Sequence, residues 1–219
     1  PGEKIAFVGA TGAGKTSITN LLFRFYEFQK GTILIDGYDI RKIDMHSLRR
    51  KIGLVLQDVF IFSGNVADNI SLGEEMDIEE IKAASRYVNA HKFIERMDDG
   101  YQTNLQEGGA NISIGQKQLL SFARALAFKP SVLVLDEATS SVDTETEMLI
   151  QDALRKMLKE RTSLIIAHRL STIRDVDRII VMHRGKIREI GNHSELMRKK
   201  GIYYRLYQLQ FKKEEAKVG

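Results

Sequence analysis

Four stretches of this chain are apolar at almost every position over four or five residues: Ile5-Ala6-Phe7-Val8, Ile52-Gly53-Leu54-Val55-Leu56, Val132-Leu133-Val134-Leu135 and Leu164-Ile165-Ile166-Ala167. Runs that short, with no polar alternation, predict strands covered on both faces, as in a parallel sheet between helix layers. Elsewhere the apolar residues recur every three to four positions. Ile18, Leu21, Leu22 and Phe25 predict a helix after the first strand. Leu119, Leu120, Ala123 and Leu126 predict one over 115–128 that Pro130 stops, and Ile150, Leu154, Met157 and Leu158 predict one over 145–159. Shorter helices are predicted over 44–50, 65–70, 77–88 and 90–97, the last three with no strong strand among them, and two more at the C-terminal end. β-Branched residues over 31–36 close on Asp36-Gly37, and strands over 178–182 and 186–190 flank Arg184-Gly185, so short antiparallel pairs are expected there.

The residues that follow the four apolar runs turn this pattern into chemistry. After the first comes Gly9-Ala10-Thr11-Gly12-Ala13-Gly14-Lys15-Thr16, then Ser17, a G-x-x-x-x-G-K-[ST] pattern between a predicted strand and a predicted helix. Glycines let successive backbone N–H groups curl round an anion, and the helix N-terminus adds partial positive charge. Lys15 is placed to reach the outer phosphates of a nucleotide, and Thr16 to put its hydroxyl on Mg²⁺. The other runs end in Gln57, in Asp136-Glu137 and in His168. Ligands of open α/β sheets bind beyond the carboxyl ends of the strands, so parallel neighbours would gather these groups at one place.

In that arrangement Asp136 holds Mg²⁺ and Glu137 orients or deprotonates the attacking water. Gln57 ligates the metal or a water, and His168 hydrogen-bonds the γ-phosphate. Taken singly, each has an ordinary alternative: an acidic pair capping a helix, a loop amide, a histidine capping the segment that starts at Ser171. The glycine loop upstream favours nucleotide binding. The expected fold class is α/β, a P-loop NTPase (RecA-like) with a mostly parallel sheet core, a small antiparallel β region and an inserted α-helical subdomain. Residues 1–57 and 129–219 form the expected ATP-binding core and 58–128 the helical insertion.

Composition narrows the reading further. At 219 residues and 43% hydrophobic the chain can bury a core, and no run approaches the ~20 apolar residues of a membrane span. With no cysteine, disulfides and thiolate metal sites are excluded. The net charge of +4 comes from 33 basic and 29 acidic residues in short clusters such as Arg49-Arg50-Lys51, which read as a solvated face; no nucleic-acid partner is expected. The start at Pro1, directly at the first strand, leads us to expect a piece of a longer chain.

Taken together, these residues resemble the nucleotide-binding domain of ATP-binding cassette (ABC) proteins over nearly the whole length. Walker A spans residues 9–16, a Q-loop lies at Gln57, and a signature-like Ile112-Ser113-Ile114-Gly115-Gln116 follows. Walker B covers residues 132–136 with Glu137, a D-loop lies at Ser140-Ser141-Val142-Asp143, and an H-loop at His168. The resemblance implies ATP and Mg²⁺ as ligands and ATP hydrolysis as the activity. It also implies a head-to-tail pair of such domains, in which Ser113, Gly115 and Gln116 face the partner's γ-phosphate and Asp143 lies at the seam.

Among cassette proteins the chain is most similar to the exporter type. Residues 101–109, around Glu107, resemble the X-loop that touches the coupling helices of a membrane domain, and the stretch from Gln57 to Phe62 has exporter character. The resemblance implies a domain on the cytoplasmic face of a cell membrane. The competing class is a cassette ATPase acting on DNA, but the heptads or zinc-binding cysteines typical of such proteins are not present. Ile112 and Ile114 depart from the usual L-S-G-G-Q, and the β-branched Ile114 stands where close backbone approach to the partner's phosphate is needed. The pair is expected to be a homodimer or a heterodimer; in the heterodimer this chain's signature serves a slow site while its Glu137 serves an active one. The aromatic that stacks on adenine in the family lies before the first strand. Tyr26 and Phe28 come too late to replace it and are expected to pack on the core, and a fragment starting at Pro1 is expected to bind ATP weakly.

Overall fold

The computed structural model describes residues 1–136, 142–159, 161–166 and 174–209. In chain order the elements are β1 (Lys4–Val8), α1 (Lys15–Leu22), β2 (Leu34–Ile35), β3 (Tyr38–Asp39), α2 (Met45–Lys51), β4 (Ile52–Val55), β5 (Gly64–Asn65), α3 (Val66–Ser71), α4 (Ile78–Tyr87) and α5 (His91–Ile94). They continue with β6 (Asn104–Leu105), α6 (Ile114–Ala127), β7 (Val132–Asp136), α7 (Thr144–Leu158), β8 (Thr162–Ile166), β9 (Arg178–His183), β10 (Lys186–Gly191) and α8 (His193–Lys199), before further helical residues at 202–209. The six-stranded sheet has the order β10-β9-β1-β8-β7-β4, so the four apolar runs are consecutive in it. Ala167, the last residue of the fourth run, lies outside the described residues.

By its internal packing the chain divides into two compact units. The first is Pro1–Ile52 with Val134–Ala138 and Thr162–Gly219; the second is Gly53–Leu133 with Thr139–Arg161. In the first, β1 runs parallel to β8 with Ala6 opposite Ile165, and parallel to β9 with Ala6 opposite Ile179. All three of those residues are fully buried, which is why these strands carry no polar alternation. β10 closes the edge antiparallel to β9 through the Arg184-Gly185 turn, both in left-handed backbone. β2 and β3 pair antiparallel around Asp36-Gly37, also both at positive φ, as a two-residue hairpin turn requires.

The first helix is shorter than its apolar spacing predicts. Arg24 adopts φ 50 and ends the helical phase, so Phe25 stacks on Phe23 at 5.6 Å and stays half-exposed instead of joining a helical stripe. The Arg24 guanidinium donates to the carbonyls of Ile40 and Ile43, which fixes that turn. Tyr26 is corrected likewise: at 66% exposure it does not pack on the core, and Phe28 lies partly exposed beneath Arg41.

In the second unit α3, α4, α6 and α7 surround a core of Ile70, Ile81, Leu119, Leu120, Phe122, Ile150 and Met157. The Leu119, Leu120, Ala123, Leu126 stripe is buried as its spacing predicts, while Leu158 is only partly so. The helix expected over 90–97 shrinks to α5, because Arg96 and Met97 donate to carbonyls three residues back and tighten the end into turns. Among the described residues no helix is long and apolar enough to cross a membrane.

Candidate phosphate-binding site

The loop between β1 and α1 owes its shape to close packing at one end and open space at the other. A Cβ on Gly9 would lie 2.4 Å from the carbonyl oxygen of Met182 in β9, so only glycine lets the chain leave β1 there. Ala13 is buried against Phe7 and Met182, its N–H donates to Ala10 O, and its carbonyl accepts from Gly185 N at 3.0 Å. The β9–β10 turn therefore braces the loop from behind. On the other side, Gly12 has φ 78 and nothing within 4 Å of the point a Cβ would occupy, and Gly14 is left-handed (φ 101) as the residue preceding α1.

No side chain caps α1, and Thr16 and Ser17 are exposed in its first turn. The first N–H groups of a helix have no partner within the helix and carry its positive dipole end. A glycine cradle open on one side with such a helix end fits a phosphate chain.

Lys15 is the exception to that exposure, at only 6% exposed. Its Nζ donates to Gly9 O at 2.8 Å and to Ala10 O at 3.2 Å, so the ammonium lies folded back on its own loop. Burial lowers its pKa from the ordinary lysine value, while the Asp136 carboxylate at the end of β7 acts in the opposite sense. Lys15 and Asp136, distant in sequence, thus lie within electrostatic reach in the first unit. The donor set is cationic and N–H-rich, with a carboxylate and an exposed Thr16 hydroxyl, the hard oxygen ligands that suit Mg²⁺.

The remaining expected residues fall in the second unit or outside the described residues. Gln57 is exposed just beyond β4. Ser113 caps α6: its Oγ accepts from Gln116 N at 3.2 Å and Gln116 Oε1 accepts from Ser113 N at 3.0 Å, a reciprocal capping box. Gly115 is pressed against the start of α7, where a Cβ would meet Thr146 Cγ2 at 2.2 Å and Val142 Cγ1 at 2.9 Å. Asp143 caps α7 by accepting from Thr146 N at 2.9 Å, a bond that holds its carboxyl below the usual pKa. The structure thus brings Ser113, Gly115 and Gln116 together with Asp143. Ile114 is 53% exposed on the first turn of α6. Glu137 and His168, like Ser140 and Ser141, lie outside the described residues.

Sequence reasoning missed two supports. The brace from Gly185 and Met182 left only a turn signal. Arg124, whose guanidinium lies within the second unit, left a clearer one: a single cation between the buried Ala123 and Ala125.

Replacing Gly9 by alanine is expected to lower stability by about 1–3 kcal/mol, since the obstructing atom is backbone and cannot swing away. Gly12→Ala is expected to cost no more than the roughly 1–2 kcal/mol of left-handed backbone. Urea unfolding of the two variants checks the order.

Parallel strands, a glycine loop braced at the end of β1 and a buried lysine at the head of α1 define a P-loop phosphate-binding domain. Residues 1–140 match the family model described as ABC transporter, and the chain belongs to that family. It is 53% identical over 213 residues to YfiC of Bacillus subtilis (strain 168), an uncharacterised ABC transporter ATP-binding protein, covering 97% of this chain and 35% of that protein. It is 52% identical over 207 residues to a fatty acid ABC transporter ATP-binding/permease protein of Mycobacterium bovis, covering 94% and 33% respectively. A structure of a bacterial Atm1-family ABC exporter with ATP bound superposes with a TM-score of 0.86 at 41% identity, over 95% of this chain and 37% of that one. The chain spans about a third of the length of the relatives it matches.

Proposed function

We propose that this chain is the ATP-hydrolysing domain of an exporter, pairing head to tail with a second such domain around ATP and passing the resulting motion to a membrane part. The observation that carries the reading is Lys15, a buried ammonium held on the carbonyls of Gly9 and Ala10 beside an uncapped helix, with Asp136 in electrostatic reach. A phosphate chain offers that ammonium stronger, charged acceptors than two carbonyls, so Lys15 swings onto the outer phosphates as ATP enters.

In this reading Gly9, Ala10, Thr11, Gly12, Ala13 and Gly14 cradle the phosphates with backbone N–H groups, with Ser17 at the start of α1. Thr16, Asp136 and Gln57 would hold Mg²⁺, which would supply charge neutralisation to the phosphates. Glu137 takes the proton of the attacking water and His168 contacts the γ-phosphate. Ser113, Gly115 and Gln116 serve the partner domain's ATP, and Asp143 lies at the seam between copies. The membrane part docks against the Glu107 region and the exposed Phe60 and Phe62. Its existence is supported by the names of the relatives, which join ATP-binding and permease functions in chains about three times as long. Closure around ATP and reopening after hydrolysis then drive export at the cytoplasmic face of the membrane.

The test is phosphate release by the complete chain. Hydrolysis is expected to require both ATP and Mg²⁺, to rise on reconstitution of the full transporter into lipid vesicles, and to be unchanged by DNA. Stimulation by DNA with indifference to lipid would instead favour an ATPase acting on nucleic acid.

A further inference from the structure

Beyond β4, the segment Phe60-Ile61-Phe62 is tied to α6 through one buried amide. Asn69 is only 2% exposed and uses its whole side chain: Oδ1 accepts from Phe62 N at 2.9 Å and from Arg124 Nη2 at 3.1 Å. Its Nδ2 donates to Phe62 O at 2.9 Å and to Asn65 O at 3.1 Å. Arg124 completes the clamp by donating through Nη1 to Phe60 O and through Nε to Asn69 O, both at 2.8 Å, while its guanidinium lies 5.4 Å from the Phe62 ring centre. Burial pushes that guanidinium down to about 10, which leaves it charged at neutral pH. An amide with all four hydrogen bonds made, held by a planar fork, has one geometry and little tolerance.

A second set of bonds runs from the same segment toward the start of α6. Ile61 is fully buried, and its carbonyl accepts from Gly108 N at 2.9 Å. Val66 N donates to Thr103 O at 3.1 Å, and β5 pairs with β6. At Gly109, with φ 66, a Cβ would meet Ile61 Cγ1 at 3.1 Å and Ile112 Cγ1 at 3.2 Å, so Ile61, Gly109 and Ile112 pack without slack immediately before Ser113. The half-exposed pair Phe60 and Phe62, in edge-to-face contact at 4.9 Å, is thereby joined to Ser113 by two routes, one through Arg124 in the body of α6 and one through residues 108–112.

We propose that Arg124 and Asn69 are positioning residues that make the Phe60–Phe62 segment, the Gly108–Gly109 segment and the start of α6 move as one body. The inference rests on the exporter reading, in which a push arrives at Phe60 and Phe62 and is used at Ser113, and it adds the parts that carry it between them. Neither residue belongs to the glycine loop or to the signature-like stretch 112–116. Arg124 is set within the helix, ten residues beyond its first, and Asn69 is sealed in the core.

The test compares the complete transporter with its Arg124→Gln and Asn69→Asp variants in lipid vesicles, by amide hydrogen exchange and by ATP kinetics. Asn69→Asp keeps the shape and the Oδ1 acceptor but turns the two Nδ2 donations into a carboxylate oxygen facing the carbonyls of Phe62 and Asn65, while Arg124 offers the new charge a partner, so it is the second variant where Arg124→Gln fails to fold. In each variant, exchange is expected to quicken at least tenfold at Gly108 and Gln116 as well as within residues 60–69. The kcat for ATP is expected to fall about tenfold while KM stays within twofold. Arg124→Lys, which keeps the charge but not the fork, is expected to fall between. Faster exchange confined to residues 60–69, or an unchanged kcat, overturns the proposal. Should the wild-type transporter hydrolyse no ATP, the functional reading fails, and the exchange pattern alone decides whether these segments are one body.

Discussion

Lys15→Met is expected to reduce ATP turnover by about 10²–10³-fold while leaving the fold as stable as before or more so. The rate term follows from removing one preorganised cation from charge that develops on the transferred phosphate, the magnitude found when a single such donor is lost. The stability term has the opposite sign because of where the ammonium lies. It is almost fully buried and held by two carbonyls, and burial disfavours its charged form. Methionine fills a similar volume without desolvating a charge. A variant that is inactive yet melts no lower than the wild type separates a functional lysine from a structural one; a drop of several degrees with activity retained would reverse the assignment.

Glu137→Gln is expected to lower turnover by about 10²–10⁴-fold, the usual contribution of a positioned general base, while ATP still binds. Glutamine keeps the size and hydrogen-bonding of the side chain but cannot take a proton. ATP-bound dimers should therefore accumulate, and size-exclusion chromatography with and without ATP measures them. If most turnover survives in the assembled transporter, Glu137 is not the working base. The departure at Ile114 sharpens the experiment. In a heterodimer whose other site is the slow one, the variant stops nearly all hydrolysis; in a pair of equal sites built from mixed chains, about half remains.

Much of the fold was legible because burial on two faces leaves an unambiguous mark. Val132, Leu133, Val134 and Leu135 had no reason to be apolar in succession other than to lie inside a sheet, and β7 bears this out. Asp36-Gly37 and Arg184-Gly185 marked their turns because both positions in each need left-handed backbone. Helix ends were read less well: Phe25 kept the helical spacing, but the left-handed Arg24 before it is invisible to periodicity.

The site was legible where chemistry is concentrated in consecutive residues, as in the loop from Gly9 to Thr16. It was not legible where the supporting atoms are backbone. Nothing in Met182 announces that its carbonyl will sit against Gly9, and nothing in Gly185 that its N–H will hold Ala13 O. The loop motif points Lys15 at phosphate, but its rest position on the carbonyls of Gly9 and Ala10 follows from how the loop folds and leaves no trace in the motif.

The reciprocal bonds between Ser113 and Gln116 have one more implication. Because the capping box already ties down the Ser113 and Gln116 N–H groups, the mouth of α6 needs no visitor to take shape, and little disorder remains to be frozen out when another molecule arrives. In the proposed pairing such a rim would meet its counterpart ready-made, and the strength of that encounter would be set by fit and charge rather than by any folding upon contact.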